Sequence, residues 1–143
     1  MVMWTHTYSK IYQGLKKEDI WHLWTDINNW AAWHSDLEYC KIEGPLQVGN
    51  HFMLKPKGMR AFKIDITEII EGLRLTDCTR FPGAKMYDTH ELEETAEGLR
   101  ISNTVRVTGP LQWLWVKLVA KNVAASHPHE IEILVDLARK RHE

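Results

Sequence analysis

The chain has 143 residues, of which 44% are hydrophobic and 26% are charged, and its formal net charge is −1. This length and balance fit one soluble domain with a single core, which we expect to span residues 1–143. The near-zero charge argues against a nucleic-acid partner, which needs a basic stripe, and the lack of a run of about 18 apolar residues argues against stable insertion into a membrane.

The N-terminal part of the chain predicts one strand followed by two short helices. Residues 4–12, WTHTYSKIY, predict the first strand. Residues 16–26 carry apolar side chains at helical spacing, which indicates a short amphipathic helix. Residues 27–34 predict a second short helix or turn that holds two tryptophans.

Six further strands follow in quick succession, separated by turn sequences such as GPLQVG, PKG and PGAK. They are predicted at residues 37–43, 50–56, 60–70, 73–81, 86–94 and 99–108. Because the connections between successive strands are short, the strands should form an antiparallel meander.

From Pro110 onward the sequence predicts one long C-terminal helix. Two apolar stripes mark it, and they comprise Leu111, Leu114, Trp115, Leu118 and Val119, then Ile131, Leu134, Val135 and Ala138. Pro128 has no N–H group to donate, so we expect it to kink or interrupt the helix. Only this helix is large enough to cover the sheet, which predicts an α+β fold with a curved sheet of about seven strands around it.

Four segments carry a resemblance to a known family. They are DINNWAAWHSDLE, IEGPLQVGNHFML, FKIDITEIIEGLRL and GLRISNTVRVTGPL, the last of which leads into the tryptophan-rich helix. Their order and spacing resemble the START-like helix-grip (SRPBCC) superfamily, and within it the polyketide cyclase/dehydrase-type proteins, over essentially the whole chain. The resemblance implies a helix-grip fold with an internal cavity that opens near the two short helices. It carries no universal catalytic motif.

Strand alternation identifies polar side chains that face the interior, because every second residue of a strand lies on the same face. The inward-facing polar residues are Asp77, Thr79, Asp88, His90 and Asn103, and Phe62 and Ile64 are apolar members of the same face. An ionised carboxylate in a dry core would cost tens of kcal/mol. These groups must therefore pair with one another or meet water, and an apolar cavity with a few convergent polar groups is the usual form of a small-molecule site.

The turn sequences predict how these strands pair. A hairpin across TAEG places His90 opposite Asn103. A hairpin with all of PGAK in its turn places Asp77 opposite His90 and Thr79 opposite Asp88. The sequence thus predicts an inner row Asp77–His90–Asn103, which a shift in register would break.

Two roles are open for this row. His90 would act as a general base oriented by Asp77, with Asp88 as a second acid and Asn103 donating to a substrate carbonyl. Alternatively, the row is a hydrogen-bonded set that orients a bound ligand or satisfies itself.

Aromatic and helical residues complete the predicted ligand site. Trp30 and Trp33 should lie near the cavity mouth, where they either pack the short helices onto the sheet or form a lid over the ligand. On the long helix, Trp115, Leu118 and Asn122 fall on the inner stripe, where they either fill the core or touch the ligand.

The remaining reactive residues do not indicate a metal or a cofactor. The sequence HPHE at 127–130 lacks the i,i+4 spacing of helical metal ligands. Cys40 and Cys78 lack the CxxC spacing of a zinc site, and we expect both to be reduced thiols. The N-terminus has no signal-peptide hydrophobic region, so we expect a cytoplasmic protein.

Three functions are compatible with these features. The first is binding of a small hydrophobic or polycyclic molecule, such as a lipid or polyketide-like compound, between sheet and helix. The second is a cyclase/dehydratase-type enzyme that uses His90 and Asp77 as an acid/base pair. The third is a protein-interaction module, related to chaperone activators, without a buried ligand. The sequence leaves the oligomeric state open.

Overall fold

A seven-stranded antiparallel sheet curves around one long C-terminal helix in the computed structural model, which describes residues 3–141. The strands are β1 (Trp4–Tyr12), β2 (Leu37–Ile42), β3 (His51–Pro56), β4 (Phe62–Ile70), β5 (Arg74–Phe81), β6 (Ala84–Thr95) and β7 (Gly98–Thr108). Their order across the sheet is β1-β7-β6-β5-β4-β3-β2. The predicted α+β helix-grip fold is confirmed.

Two short helices connect the edge strands β1 and β2. They are α1 (Lys17–Thr25) and α2 (Trp30–Trp33), with a 3₁₀ turn (Ile27–Asn29) between them. The backbone N–H of Lys16 donates to Asp19 Oδ2 at 3.0 Å, which caps the start of α1. The acidic first turn of α1 also suits the positive end of the helix dipole.

The C-terminal helix is continuous but not uniform. It consists of α3 (Gln112–Trp115), a π segment (Val116–Ala120) and α4 (Lys121–Lys140). Pro128 lies inside α4 without ending it, so the expected interruption is wrong. Buried Ala124 and Ile131 hold the helix against the sheet on both sides of the proline, and such tertiary packing supplies most of the stability of a helix. Within the described residues, no helix is long and apolar enough to cross a membrane.

The first predicted stripe of this helix is only partly confirmed, because Trp115 and Val119 are half-buried against the core but two other members are exposed. Leu111 and Leu118 are 37% and 53% exposed, whereas Val116, Ala120 and Ala124 are buried. A π turn holds an additional residue, so it changes which side chains face inward. The second predicted stripe is confirmed, since its four members are all buried; they are Ile131, Leu134, Val135 and Ala138.

The strand register confirms one hairpin prediction and corrects the other. His90 pairs with Asn103 across β6 and β7, as predicted. The β5–β6 turn holds only Pro82 and Gly83, so Phe81 pairs with Ala84. Pro82 suits the first position of this turn because its ring fixes φ near −65°, and Gly83 supplies the positive φ, +76°, at the second position.

This tighter turn shifts the inner row by two residues without changing its face. Asp77 pairs with Asp88 and not with His90, and Thr79 pairs with Met86. The predicted row Asp77–His90–Asn103 is therefore wrong, although its members all remain on the inner face of the sheet. The polar residues lie midway along β5, β6 and β7, between apolar residues at both ends of those strands.

We predict that Gly83→Ala destabilises the protein more than Gly58→Ala does. Both glycines have a left-handed φ, +76° and +77°, which costs an alanine about 1–2 kcal/mol. A Cβ at Gly83 would also lie 2.6 Å from Leu111 Cδ1, whereas nothing lies within 4 Å of one at Gly58. This overlap should add about 1–3 kcal/mol. Urea unfolding measures both losses, and equal losses would contradict a packed β5–β6 turn.

Candidate functional site

A cavity of about 340 Å³ lies between the inner face of the sheet and the C-terminal helix. Its volume falls within the range of small-molecule sites, roughly 300–1,000 Å³. Most of the lining is apolar and comes from α1, α2, β2 to β6 and the helix; it includes Trp24, Trp30, Trp33, Leu37, Phe52, Leu54, Phe62, Ile64, Phe81, Met86, Val119, Val123 and Ile131. The polar lining is divided between the sheet, with Asp77, Thr79, Asp88, His90 and Asn103, and the helix and α2–β2 connection, with His34, Asp36, Asn122, Ser126 and Glu130.

The mouth of the cavity lies where lining residues are also exposed. Met59, in the β3–β4 turn, is 50% exposed, and Leu118, in the π segment, is 53% exposed. Asn122 on α4 and Asp36, just after α2, are exposed lining residues as well. The opening is therefore framed by the β3–β4 turn, the end of α2 and the first turns of the C-terminal helix.

The two predicted mouth tryptophans occupy different positions. Trp30 is buried in the cavity wall, with its ring edge-on to Phe52 at 5.3 Å and its Nε1 donating to the Trp24 carbonyl. Trp33 is half-buried at the rim, where its ring lies 5.9 Å from that of His34. Trp30 thus packs α2 onto the sheet, and Trp33 closes one side of the mouth. Their contact with a ligand stays a prediction.

The other predicted ligand residues line the cavity with one exception. Those that do are Phe62, Ile64, Thr79, Asn103, Leu118 and Asn122. Trp115 does not line the cavity, because its ring stacks on Phe81 at 4.4 Å and its Nε1 donates to the Pro82 carbonyl. Trp115 therefore anchors α3 on the β5–β6 turn.

The sheet side of the cavity carries a cluster that we call the polar wall, formed by Asp77, Thr79, Asp88, His90 and Asn103. His90 Nδ1 lies 3.0 Å from Asn103 Oδ1 and donates to it, so Nε2 is the ring nitrogen left for other contacts. That Nε2 lies 4.0 Å from Asp88 Oδ2. The carboxylate beside His90 is thus Asp88 and not Asp77.

His127, from the C-terminal helix, lies behind the polar wall and is fully buried. Its Nε2 is 3.6 Å from Asp88 Oδ1, an ion-pair distance slightly longer than an ordinary hydrogen bond. Burial lowers the pKa of His127, but the nearby carboxylates of Asp88 and Glu130 outweigh burial and raise it. A protonated His127 can therefore compensate the charge of Asp88.

The two opposed carboxyl groups have opposite electrostatic environments. Burial, and then the charge of Asp88, raises the pKa of Asp77 well above its ordinary value. Burial would also raise the pKa of Asp88, but His90 and His127 lower it below the ordinary value. Asp77 therefore takes up a proton at a higher pH than Asp88 does, so a single proton on the pair belongs to Asp77.

A second polar group lies on the helix side of the cavity. Glu130 Oε1 accepts a hydrogen bond from His34 Nε2 at 2.7 Å and another from Ser126 Oγ at 2.9 Å. Burial lowers the pKa of His34, but Glu130 more than offsets this and raises it. The resulting ion pair ties the end of α2 to α4 beside the mouth.

Sequence reasoning missed the role of His127 because it tested HPHE only as a metal motif. The helical phase contained the needed signal, since His127 precedes Ile131 by four residues and so continues the buried stripe.

Within residues 3–141, no three His, Cys, Asp or Glu side chains are arranged to hold a metal ion. Burial raises the pKa of Cys40 to about 12, so this thiol is not a nucleophile near neutral pH.

The family profile for "polyketide cyclase / dehydrase and lipid transport" matches residues 5–138. None of the curated proteins matches the chain. Norcoclaurine synthase from Thalictrum flavum, solved with dopamine and hydroxybenzaldehyde, aligns with a TM-score of 0.74 and 13% identity over 99% of this chain and 89% of that one.

Two further structures have the same fold. The di-domain ARO/CYC protein StfQ of the steffimycin biosynthetic pathway aligns with a TM-score of 0.79 and 11% identity, over 98% of this chain and 52% of that one. A structural-genomics protein from Nitrosomonas europaea gives 0.75 and 17%, over 96% of each chain. At these identities the similarity shows the fold alone.

We predict that Asp77→Asn stabilises the protein and that Asp88→Asn destabilises it. Because the pKa of Asp77 is higher in the folded than in the unfolded chain, its contribution to stability falls as the pH rises above about 4. Removing that carboxyl should therefore stabilise the fold, and more at pH 8 than at pH 5.

The matched change at Asp88 removes the partner of a buried histidine and should cost about 1–3 kcal/mol. Since the pKa of His127 is raised in the folded protein, the pair stabilises most fully below about pH 6.5, and the loss should be largest there. Urea unfolding at several pH values measures both effects. A destabilised Asp77→Asn variant would contradict a neutral Asp77.

Proposed function

The chain belongs to the polyketide cyclase / dehydrase and lipid transport family, and from this premise we propose that it binds a small hydrophobic or polycyclic molecule in the cavity between sheet and helix. The observation that carries the proposal is a mostly apolar cavity of about 340 Å³ with a cluster of five polar side chains on its sheet wall. That arrangement is typical of small-molecule sites, in which apolar walls supply affinity and a few polar groups fix orientation. A lipid or a polyketide-like compound is the class of ligand that we propose.

Aromatic side chains around the cavity support a ligand that contains rings. Trp24, Trp30 and Phe52 line the cavity. Both tryptophans also pack against the ring of His90. Aromatic rings contribute stacking and edge-to-face interactions in addition to apolar burial. A flat polycyclic ligand would use both.

The cavity argues against a protein-interaction module without a buried ligand. Such a module would have a solidly packed interior and a separate exposed apolar patch. Here two of the most exposed hydrophobic residues, Met59 and Leu118, belong to the cavity lining itself. Their exposure fits ligand entry through the mouth. A cytoplasmic location stays a prediction.

We predict that Val123→Trp weakens ligand binding and that Ala125→Trp does not. Val123 lines the cavity from α4, whereas Ala125 is exposed on the same helix outside the lining. An indole at position 123 would occupy ligand space, so the affinity for Nile red should fall at least about tenfold, equivalent to 1.4 kcal/mol. Probe emission and quenching of tryptophan fluorescence measure binding. Equal affinities for the two variants would place the probe outside the cavity.

A cyclase/dehydratase-type activity is the second candidate, favoured by the titratable groups of the polar wall. We propose His90 Nε2 or the Asp88 carboxylate as the base that removes a proton next to a substrate carbonyl. Asp77, as a neutral acid, would protonate the leaving hydroxyl group. This assignment keeps His90, Asp77 and Asp88 as the candidate residues but replaces the His90–Asp77 pair by His90 and Asp88, which lie 4.0 Å apart.

If the protein is such an enzyme, His90→Ala should abolish turnover and leave ligand binding within about twofold, because the loss removes a proton acceptor rather than an apolar wall. Turnover is measured as loss of water from a linear poly-β-ketone, followed by mass spectrometry. Nile red titration measures binding in the same preparation. Undiminished turnover in the variant would reject His90 as the base.

A further inference from the structure

The polar wall presents two carboxyl groups side by side to the cavity. Asp77 and Asp88 are directly opposed across β5 and β6 and both line the cavity. Opposed residues in antiparallel strands have Cβ atoms about 4.5–5.5 Å apart. Two carboxylates at this separation, largely out of water, cannot both be ionised without a high cost, so the pair must hold a proton near neutral pH.

The surroundings of the two groups determine which one holds the proton. Asp88 has imidazole nitrogens near both oxygens, with His127 Nε2 at 3.6 Å and His90 Nε2 at 4.0 Å. Within residues 3–141, no basic group lies within 4 Å of the Asp77 carboxyl. On the side away from β6, Asp77 pairs with the apolar Ile66 of β4. The proton therefore belongs to Asp77, and the carboxylate to Asp88.

His127 favours this assignment. It reaches Asp88 from the C-terminal helix, is fully buried and does not line the cavity. It is thus a positioning residue: it neutralises the charge of Asp88 from behind, away from any ligand. The side of Asp88 that faces the cavity keeps an oxygen available to accept a hydrogen bond.

We infer that the polar wall is a hydrogen-bond donor next to an acceptor, built to receive a neutral ligand that carries a carbonyl and a hydroxyl group on one edge of an apolar ring system. The Asp77 carboxylic acid donates to the carbonyl oxygen, and the Asp88 carboxylate accepts from the hydroxyl. The inference rests on the proposed binding function and specifies the ligand that the cavity selects.

The same arrangement disfavours carboxylic acids as ligands. An anionic head group at the polar wall would face the cavity side of the Asp88 carboxylate, whose compensating His127 lies behind it, and the Glu130 carboxylate, paired with His34, lines the helix side. Like charges in a site of low dielectric repel strongly. Fatty acids, which share the apolar chemistry of the cavity, are thereby excluded by their head group.

Competition against Nile red tests the inference with four matched bicyclic probes. They are a hydroxytetralone with its hydroxyl meta to the carbonyl-bearing carbon, tetralone, tetrahydronaphthol and naphthoic acid. At neutral pH the hydroxytetralone should bind at least about tenfold more tightly than tetralone or tetrahydronaphthol, since it alone uses both carboxyl groups. Naphthoic acid should bind most weakly. A tie between naphthoic acid and the hydroxytetralone would overturn the inference.

Variants of the two carboxyl groups separate their roles. Asp77→Asn keeps a donor and should retain the preference for tetralone over its hydrocarbon tetralin, whereas Asp77→Leu should lose it. Asp88→Asn removes the negative charge and should improve binding of naphthoic acid at least about tenfold. Glu97→Gln, in the exposed β6–β7 turn, is the control and should keep the wild-type order. Circular dichroism verifies that each variant is folded.

The outcomes distinguish the inference from the proposed function. If Nile red does not bind the wild-type protein, the binding function fails. If Nile red binds but none of the four probes competes, or if Asp77→Asn behaves like Asp77→Leu, the binding function stands and the donor–acceptor pair is wrong.

Discussion

The burial of two opposed carboxyl groups is the constraint on which the site depends. Asp77 and Asp88 meet across adjacent strands on the inner face of the sheet, where ionising both would cost several kcal/mol. The fold meets this constraint in two ways. A histidine from the covering helix compensates one group, and the other remains protonated. Solid packing over the pair would leave their oxygens without partners, so an open interior is the arrangement that fits this sequence best.

The C-terminal helix and the sheet therefore interact through charged groups as well as through apolar packing. Ile131 and Leu134 bury apolar surface against the core, while His127, on the same face of the helix, approaches Asp88. The histidine can do so only where the helix has the correct phase and height over β6. Packing of the helix thus brings the His127 imidazole close to Asp88, which favours the ionised form of that carboxyl group. The attraction between the two groups in turn favours one position of the helix over the sheet.

Most of the fold was predictable from the sequence because strand alternation and short turns have few alternative solutions. The β6–β7 register followed from its turn, and it placed His90 opposite Asn103 as observed. The β5–β6 register did not follow, because PGAK allows a turn of two or of four residues and both keep Asp77 inside. Local pattern therefore identified which residues face the cavity, but only the structure identified the partners of Asp77 and Asp88. The burial of His127 could be predicted from the helical phase, whereas its partner could not, since that partner lies on a distant strand.

The π segment at Val116–Ala120 has a consequence for how this chain can change length. A π turn accommodates a single inserted residue within an otherwise regular helix. Loss of one residue there would convert it to an ordinary α turn and leave everything downstream, including the carboxylate-compensating histidine, in its present orientation. Because Leu118 lies both in this segment and in the cavity lining, such a deletion would alter the size of the portal while sparing the interior. Evolution could in this way adjust access separately from chemistry.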